Sequence, residues 1–132
     1  MAPAYLRPPW FLEVVGNRIA TLVGSPVLEV PGRRSGAPRQ VPLNVLDHGG
    51  ERYLVAPRGE TEWVRNLRVA DTAHLKTRRK GETIRAVEVP VAERADLIAL
   101  YRAKWDGATT VQWEALPDPA DHPIFRIAHA DV

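Results

Sequence analysis

The chain has 132 residues, 45% hydrophobic and 26% charged, a size and balance that fit one globular domain around one core. Its formal net charge is only +2, which argues against a polycation that coats nucleic acid. Cysteine is absent, which excludes disulfides, thiolate metal sites and cysteine nucleophiles, and no apolar run approaches the roughly 20 residues of a membrane-spanning helix.

No apolar segment followed by a small-residue cleavage site opens the chain, so a cytoplasmic protein without a signal peptide is expected. Trp10 to Val23 is predicted to be an amphipathic helix, with Trp10, Phe11, Val14, Val15, Ile19, Leu22 and Val23 on one stripe. Pro8 and Pro9 precede it, where a helix tolerates proline. The stripe either packs on the core, covers a site or rests on a membrane surface; its polar face carries little positive charge, which favours packing. Val27 to Pro31 reads as a strand. Gln40 to Asp47 alternates, with Val41, Leu43 and Val45 on one face, and the glycine pair Gly49 and Gly50 turns the chain into a returning strand from Arg52 to Pro57.

Glu60 to Ala70 reads as a short helix, started by Thr61 or Glu60 and turning Trp63, Val64 and Leu67 inward. Ala73 to Arg79 and Glu82 to Val89 form a second predicted hairpin. A helix from Val91 to about Trp105 follows, with Ala95, Ile98, Tyr101 and Trp105 on a shared face. Asp106 to Asp121 carries no assignable period, and His122 to Ile127 reads as a closing strand. The predicted class is α+β, mainly β: one domain over residues 1–132, with an antiparallel barrel over 27–127 and short helices across its openings.

Several chemistries have no legible motif. The glycines form neither G-x-G-x-x-G nor a P-loop. Ser25 and Ser35 lie outside any G-x-S-x-G elbow, and His48, His74, His122 and His129 lack metal-ligand spacing, so surface or structural roles are expected for them. What stands out is "EVPGRRSGAPRQVPL", Glu29 to Leu43. Gly32 and Gly36 bracket Arg33, Arg34 and Ser35, and glycines let consecutive N–H groups converge on an anion. The arginines and the serine hydroxyl add donors; Pro38 stiffens the exit and Arg39 follows. On the residues alone this is equally an anion cradle or a solvated basic turn. In "APRGETEWVRNL", Ala56 to Leu67, a strand runs through Arg58 and Gly59 into a helix whose N-terminus favours anions. Trp63, one turn in, either borders a planar ligand or fills the core.

Together with the terminal "HPIFRI", these stretches resemble the deazaflavin (coenzyme F420)-dependent nitroreductase family, over about Val27 to Ile127. The resemblance implies a split antiparallel β-barrel related to flavin reductases and pyridoxamine-phosphate oxidases, with short flanking helices. It implies a cofactor, coenzyme F420 with FMN as the alternative, held at its phosphate and acidic tail by Arg33, Arg34, Ser35 and Arg39. Pro42 and Leu43 would lie along its stem, and Ala56, Pro57 and Arg58 would offer backbone and charge near the ring. Trp63 would be a pocket wall, and Asn66 either part of the site or a brace for the turn. The implied reaction is hydride transfer from the reduced coenzyme to an electron-poor small molecule such as a quinone, enone or nitro compound. The alternative is a barrel that carries the deazaflavin, FMN or haem without turnover. A homodimer is implied, with no nucleic-acid partner and peripheral membrane contact open to the first helix. Two departures stand out. The turn before Trp63 is shorter and carries Glu60 and Glu62, acids expected to disfavour an anion nearby. The family's tyrosine-bearing substrate region has no clear counterpart beyond Tyr101, Trp105 and Trp113.

Overall fold

Alternating apolar and polar side chains build seven antiparallel strands among the residues described by the computed structural model, 25–77 and 80–129, with the side chains at 106, 108 and 109 not described. In chain order they are β1 (Val27–Pro31), β2 (Pro38–Pro42), β3 (Val45–His48), β4 (Glu51–Val55), β5 (Thr72–Lys76), β6 (Gly81–Glu88) and β7 (Ile124–His129). Helix α1 (Glu62–Ala70) lies between β4 and β5, and helix α2 (Arg94–Ala115) between β6 and β7. The helix predicted over 10–23 lies outside the described residues, as do Arg78 and Arg79 of the second hairpin.

The strand order, β2-β1-β5-β6-β7-β4-β3, dictates the shape. β2 and β3 occupy opposite edges, yet only Leu43 and Asn44 separate them in the chain. A flat sheet of this width would hold its edges about 29 Å apart, whereas a two-residue link spans about 11 Å. The sheet must therefore curl until its edges approach each other, giving a half-barrel. The single strand predicted from Gln40 to Asp47 is thus two strands, broken where the chain crosses from one edge to the other. Pro38 and Pro42 both fall on edge strand β2, where a missing N–H leaves no neighbour unpaired.

The predicted turn at Gly49 and Gly50 closes the β3–β4 hairpin, with φ of 60° and 79°. Two consecutive left-handed residues match the right-handed twist of the flanking strands, and glycine adopts them without strain. β1 has its predicted bounds, and the remaining strands shift by one to a few residues at their ends.

The hydrophobic interior is two clusters rather than one. On the concave side, Leu28, Val30, Leu54, Ala73, Leu75, Ile84, Phe125 and Ile127 pack with Val64 and Leu67 of α1, and Val41, Leu43 and Val45 join them as predicted. On the convex side, Leu46, Val55 and Ile124 meet Leu97, Ile98, Tyr101 and Trp113 of α2. The sequence cause is local. Val45-Leu46, Leu54-Val55 and Ile124-Phe125 are adjacent apolar pairs, and adjacent strand residues point to opposite faces, so these strands are covered on both.

Helix α2 departs most from expectation. A single 3-10 turn, Val91–Glu93, precedes it, and the predicted stop at Trp105 is a kink (φ −128°, ψ 21°) after which helix resumes to Ala115. The buried face is Arg94, Leu97, Ile98 and Tyr101, while Ala95 is exposed. Ring packing spans the kink: Tyr101 lies 4.7 Å from Trp105 and 6.0 Å from Trp113, centroid to centroid.

Candidate functional site

The arginine-rich loop is the β1–β2 turn, closed beneath by the pair Pro31 and Pro38. Gly32 N–H donates to the Ala37 carbonyl and Gly36 N–H to the Gly32 carbonyl, both at 2.8 Å. The Ser35 hydroxyl oxygen accepts from Ala37 N–H at 3.1 Å. Gly36 has φ +76°, the left-handed conformation that ends this turn and that a side chain would strain.

The loop is fastened to α1. Arg33 N–H donates to Asn66 Oδ1 at 3.0 Å, and Arg33 Nη1 donates to the same oxygen at 2.9 Å. Nη1 also meets Glu62 Oε2 at 2.5 Å. Asn66 is buried, so of the two roles left open for it, bracing the loop is the one its Oδ1 performs. The same bonds define which N–H groups of the loop are used internally. The N–H groups of Gly32, Arg33, Gly36 and Ala37 are all taken within the protein. What the loop presents outward is chiefly the guanidinium charge of Arg34 and Arg39, both exposed. Arg39 faces Val30 across the ladder, which puts it on the concave side of the sheet.

Asn66→Ala tests the brace. It strands Arg33 N–H and removes a second bond to the same guanidinium, so unfolding free energy should fall by about 1–3 kcal/mol and amide exchange at Arg33 should accelerate. Wild-type exchange in the variant would show that the loop holds itself.

The second predicted wall begins where β4 ends. Ala56 is buried, its N–H donates to the Pro123 carbonyl, and its own carbonyl accepts Gly59 N–H at 3.1 Å and faces His122 Nδ1 at 2.8 Å. Its backbone groups are thus engaged inside the fold. Pro57 and Arg58 are partly exposed, and Thr61 caps α1 in an extended conformation, as predicted, without a side-chain cap bond. Trp63 is half-buried, its ring 6.0 Å from Phe125 at 56°. Pro42 and Leu43 are half-buried at the edge crossing, with Leu43 against the concave core. The structure therefore joins loop and α1 directly, through Arg33, Glu62 and Asn66.

The two acids flagged in the turn are both compensated. Glu62 pairs with Arg33, whose hydrogen bond holds its carboxyl below the usual range, aided by the charges of Arg33, Arg65 and Arg34. Glu60 pairs with Arg68, which also grips Glu88 at 2.9 and 2.7 Å, and Glu88 meets Arg94 at 3.1 Å. The four form one chain linking the turn before α1 to the start of α2. The hydrogen bond that Arg68 donates to Glu88, followed by the one it donates to Glu60, raises the Arg68 pKa beyond its ordinary value.

Sequence reading missed Arg94, which is buried, while His122, also buried, takes the structural one of the two roles expected for it. Tyr101 is buried too, accepts from Asn44 Nδ2 at 3.1 Å, and has its phenol pushed up by burial. Among the described residues no group of three or more acids and histidines could hold a metal, and no helix is long and apolar enough to cross a membrane.

A curled antiparallel half-barrel sheet with a few short helices is the fold shared with the split-barrel flavin and F420 reductases. Residues 11–115 match the model of the F420H(2)-dependent quinone reductase family, and the chain belongs to that family. The resemblance to deazaflavin-dependent oxidoreductases is thereby borne out, with coenzyme F420 as the cofactor of the class. An F420-H2 dependent reductase (FDR-A) superposes with TM-score 0.58 at 21% identity, over 78% of this chain and 92% of that one. A FAD-binding protein (mll6688) from Mesorhizobium loti superposes with TM-score 0.52 at 14% identity, over 89% of each chain. Atu2129 from Agrobacterium tumefaciens str. C58, of unknown function, gives TM-score 0.63 at 17% identity over 98% of this chain, which spans 60% of its length. No curated protein matches the chain in sequence.

Proposed function

We propose that the protein binds reduced coenzyme F420 along the β1–β2 loop and the head of α1, and passes its hydride to an electron-poor small molecule, a quinone, enone or nitro compound. The observation that carries this is the exposed pair Arg34 and Arg39 on a loop fastened to α1 by the 3.0 Å bond from Arg33 to Asn66. The donor set fits an anionic coenzyme, because exposed arginines suit phosphate and carboxylate and the neighbouring acids are already ion-paired.

The coenzyme supplies the hydride chemistry when bound; the protein binds and orients it. Arg34, Arg39 and Ser35 hold the phosphate and acidic tail, while Arg33 and Asn66 keep the loop in place. Pro42 and Leu43 line the stem. Pro57, Arg58 and Trp63 border the ring, and Ala56 backs that wall from the core. No side chain is needed as nucleophile or metal ligand. We further take the protein to be a single-domain cytoplasmic homodimer; a structural neighbour described as a domain-swapped dimer, TM-score 0.53 at 21% identity over 90% of this chain and 97% of that one, supports the assembly.

Titrating the protein into reduced coenzyme should change coenzyme fluorescence, and adding a quinone should then oxidise the coenzyme. Arg34→Ala combined with Arg39→Ala should weaken binding at least about tenfold, as expected for loss of two charge-assisted contacts. An unchanged signal at high protein concentration would overturn the proposal. Binding without oxidation by any acceptor class would identify a carrier instead.

A further inference from the structure

Glu62 occupies the place an incoming anion would take. Its Oε2 lies 2.5 Å from Arg33 Nη1, although the side chain is 67% exposed. It also stands in the first turn of α1, where the helix dipole favours negative charge, and within the field of Arg34 and Arg65. Arg33 does not need Glu62 to stay in position, because Asn66 Oδ1 holds both its N–H and its Nη1.

Resting on the coenzyme reading above, we infer that Glu62 is an internal counter-ion, which competes with the ligand for the arginine loop, so that a ligand binds with net gain only when it carries several negative charges. The argument is one of exchange. A singly charged anion that displaces Glu62 from Arg33 replaces one carboxylate contact by another and gains little. A ligand with further charges also reaches Arg34 and Arg39, and those contacts are gains. The site thus discriminates by charge number at its entrance, before any contact with the ring.

The test compares wild type with Glu62→Gln, using inorganic phosphate and inorganic pyrophosphate as probes, read by amide chemical shifts in the β1–β2 loop, and reduced coenzyme F420, read by fluorescence. Glu62→Gln should bind phosphate about fivefold more tightly, the upper end for an exposed ion pair, and pyrophosphate by a similar factor, since both displace the same carboxylate. Amide exchange at Arg33 should stay at its wild-type rate, since the Asn66 brace is intact. Equal or weaker phosphate binding in the variant overturns the inference, and so does weaker binding with faster exchange at Arg33, which would make Glu62 a loop fastener. If the variant gains phosphate affinity while neither protein binds the coenzyme, the counter-ion role stands and the coenzyme assignment falls.

Discussion

Arg94→Met is expected to lower the unfolding free energy by about 2 kcal/mol, toward the low end for hydrogen bonds made by a charged group, and the melting temperature by roughly 7 °C. The Arg94 side chain is 6% exposed, and its Nε donates to the Val89 carbonyl at 3.0 Å while Nη2 meets Glu88 at 3.1 Å. Methionine keeps the length of the stem, so the loss is electrostatic rather than a cavity. Arg68 still grips Glu88, which is why the low end applies. Adding Glu88→Gln should cost less than the two single changes summed, because both remove the same Arg94–Glu88 contact. The pH dependence has a definite sign. Arg68 first, by hydrogen bond, and then the charges of Arg68 and Arg94 hold the Glu88 carboxyl below its usual range. A depressed carboxylate stabilises the fold above its unfolded value, near 4.3, and that contribution is lost as pH falls through the lower folded value. Arg94→Met weakens the depression, so its acid unfolding should begin at higher pH than in wild type. Urea melts between acidic and neutral pH check this; coincident wild-type and variant curves at every pH would mean that the Arg94–Glu88 link contributes nothing.

Much of the barrel was readable because its punctuation is local. Pro26 and Pro31 bracket β1, and Gly49-Gly50 mark a turn whose geometry few other residue pairs adopt. Closure was not readable. That residues 38–48 change sheet edges follows from which strands pair, and no short-range pattern encodes it. Helix α2 was lost beyond Trp105 for a related reason: the chain leaves helical φ/ψ there, Gly107 follows, and helix resumes on the far side, in a segment where Tyr101, Trp105 and Trp113 pack ring on ring. In the site, the basic loop and the acids at 60 and 62 were visible, but their relation was not. Arg33 meets Glu62 across 29 residues and Asn66 across 33. Such partners are set by tertiary structure, so of the two acids that read as an obstacle to an anion, Glu62 is part of the loop's own electrostatics and Glu60 is held by Arg68.

His122→Ala is expected to be the most damaging single change near the site, costing about 3–4 kcal/mol, chiefly through the cavity left by a fully buried ring. The ring is fully buried and stacked 4.2 Å from Trp113. Nδ1 lies 2.8 Å from the Ala56 carbonyl, and Nε2 faces the carbonyl of Leu116, the residue that ends α2. The imidazole is therefore a strut between the end of α2 and the turn that leads into α1. Asparagine places an amide near the Nδ1 position and glutamine one near Nε2, so His122→Asn should preserve the Ala56 contact and His122→Gln the Leu116 contact, each melting between wild type and the alanine variant. The readout that separates a strut from mere filling is amide exchange at Gly59, whose N–H donates to the same Ala56 carbonyl. If the ring positions that carbonyl, exchange at Gly59 accelerates in His122→Ala and His122→Gln and stays slow in His122→Asn. Equal exchange in all three would reduce His122 to packing. The graded result would mean that the turn formed by Ala56, Pro57 and Arg58 is set from behind, by a histidine that never reaches the surface.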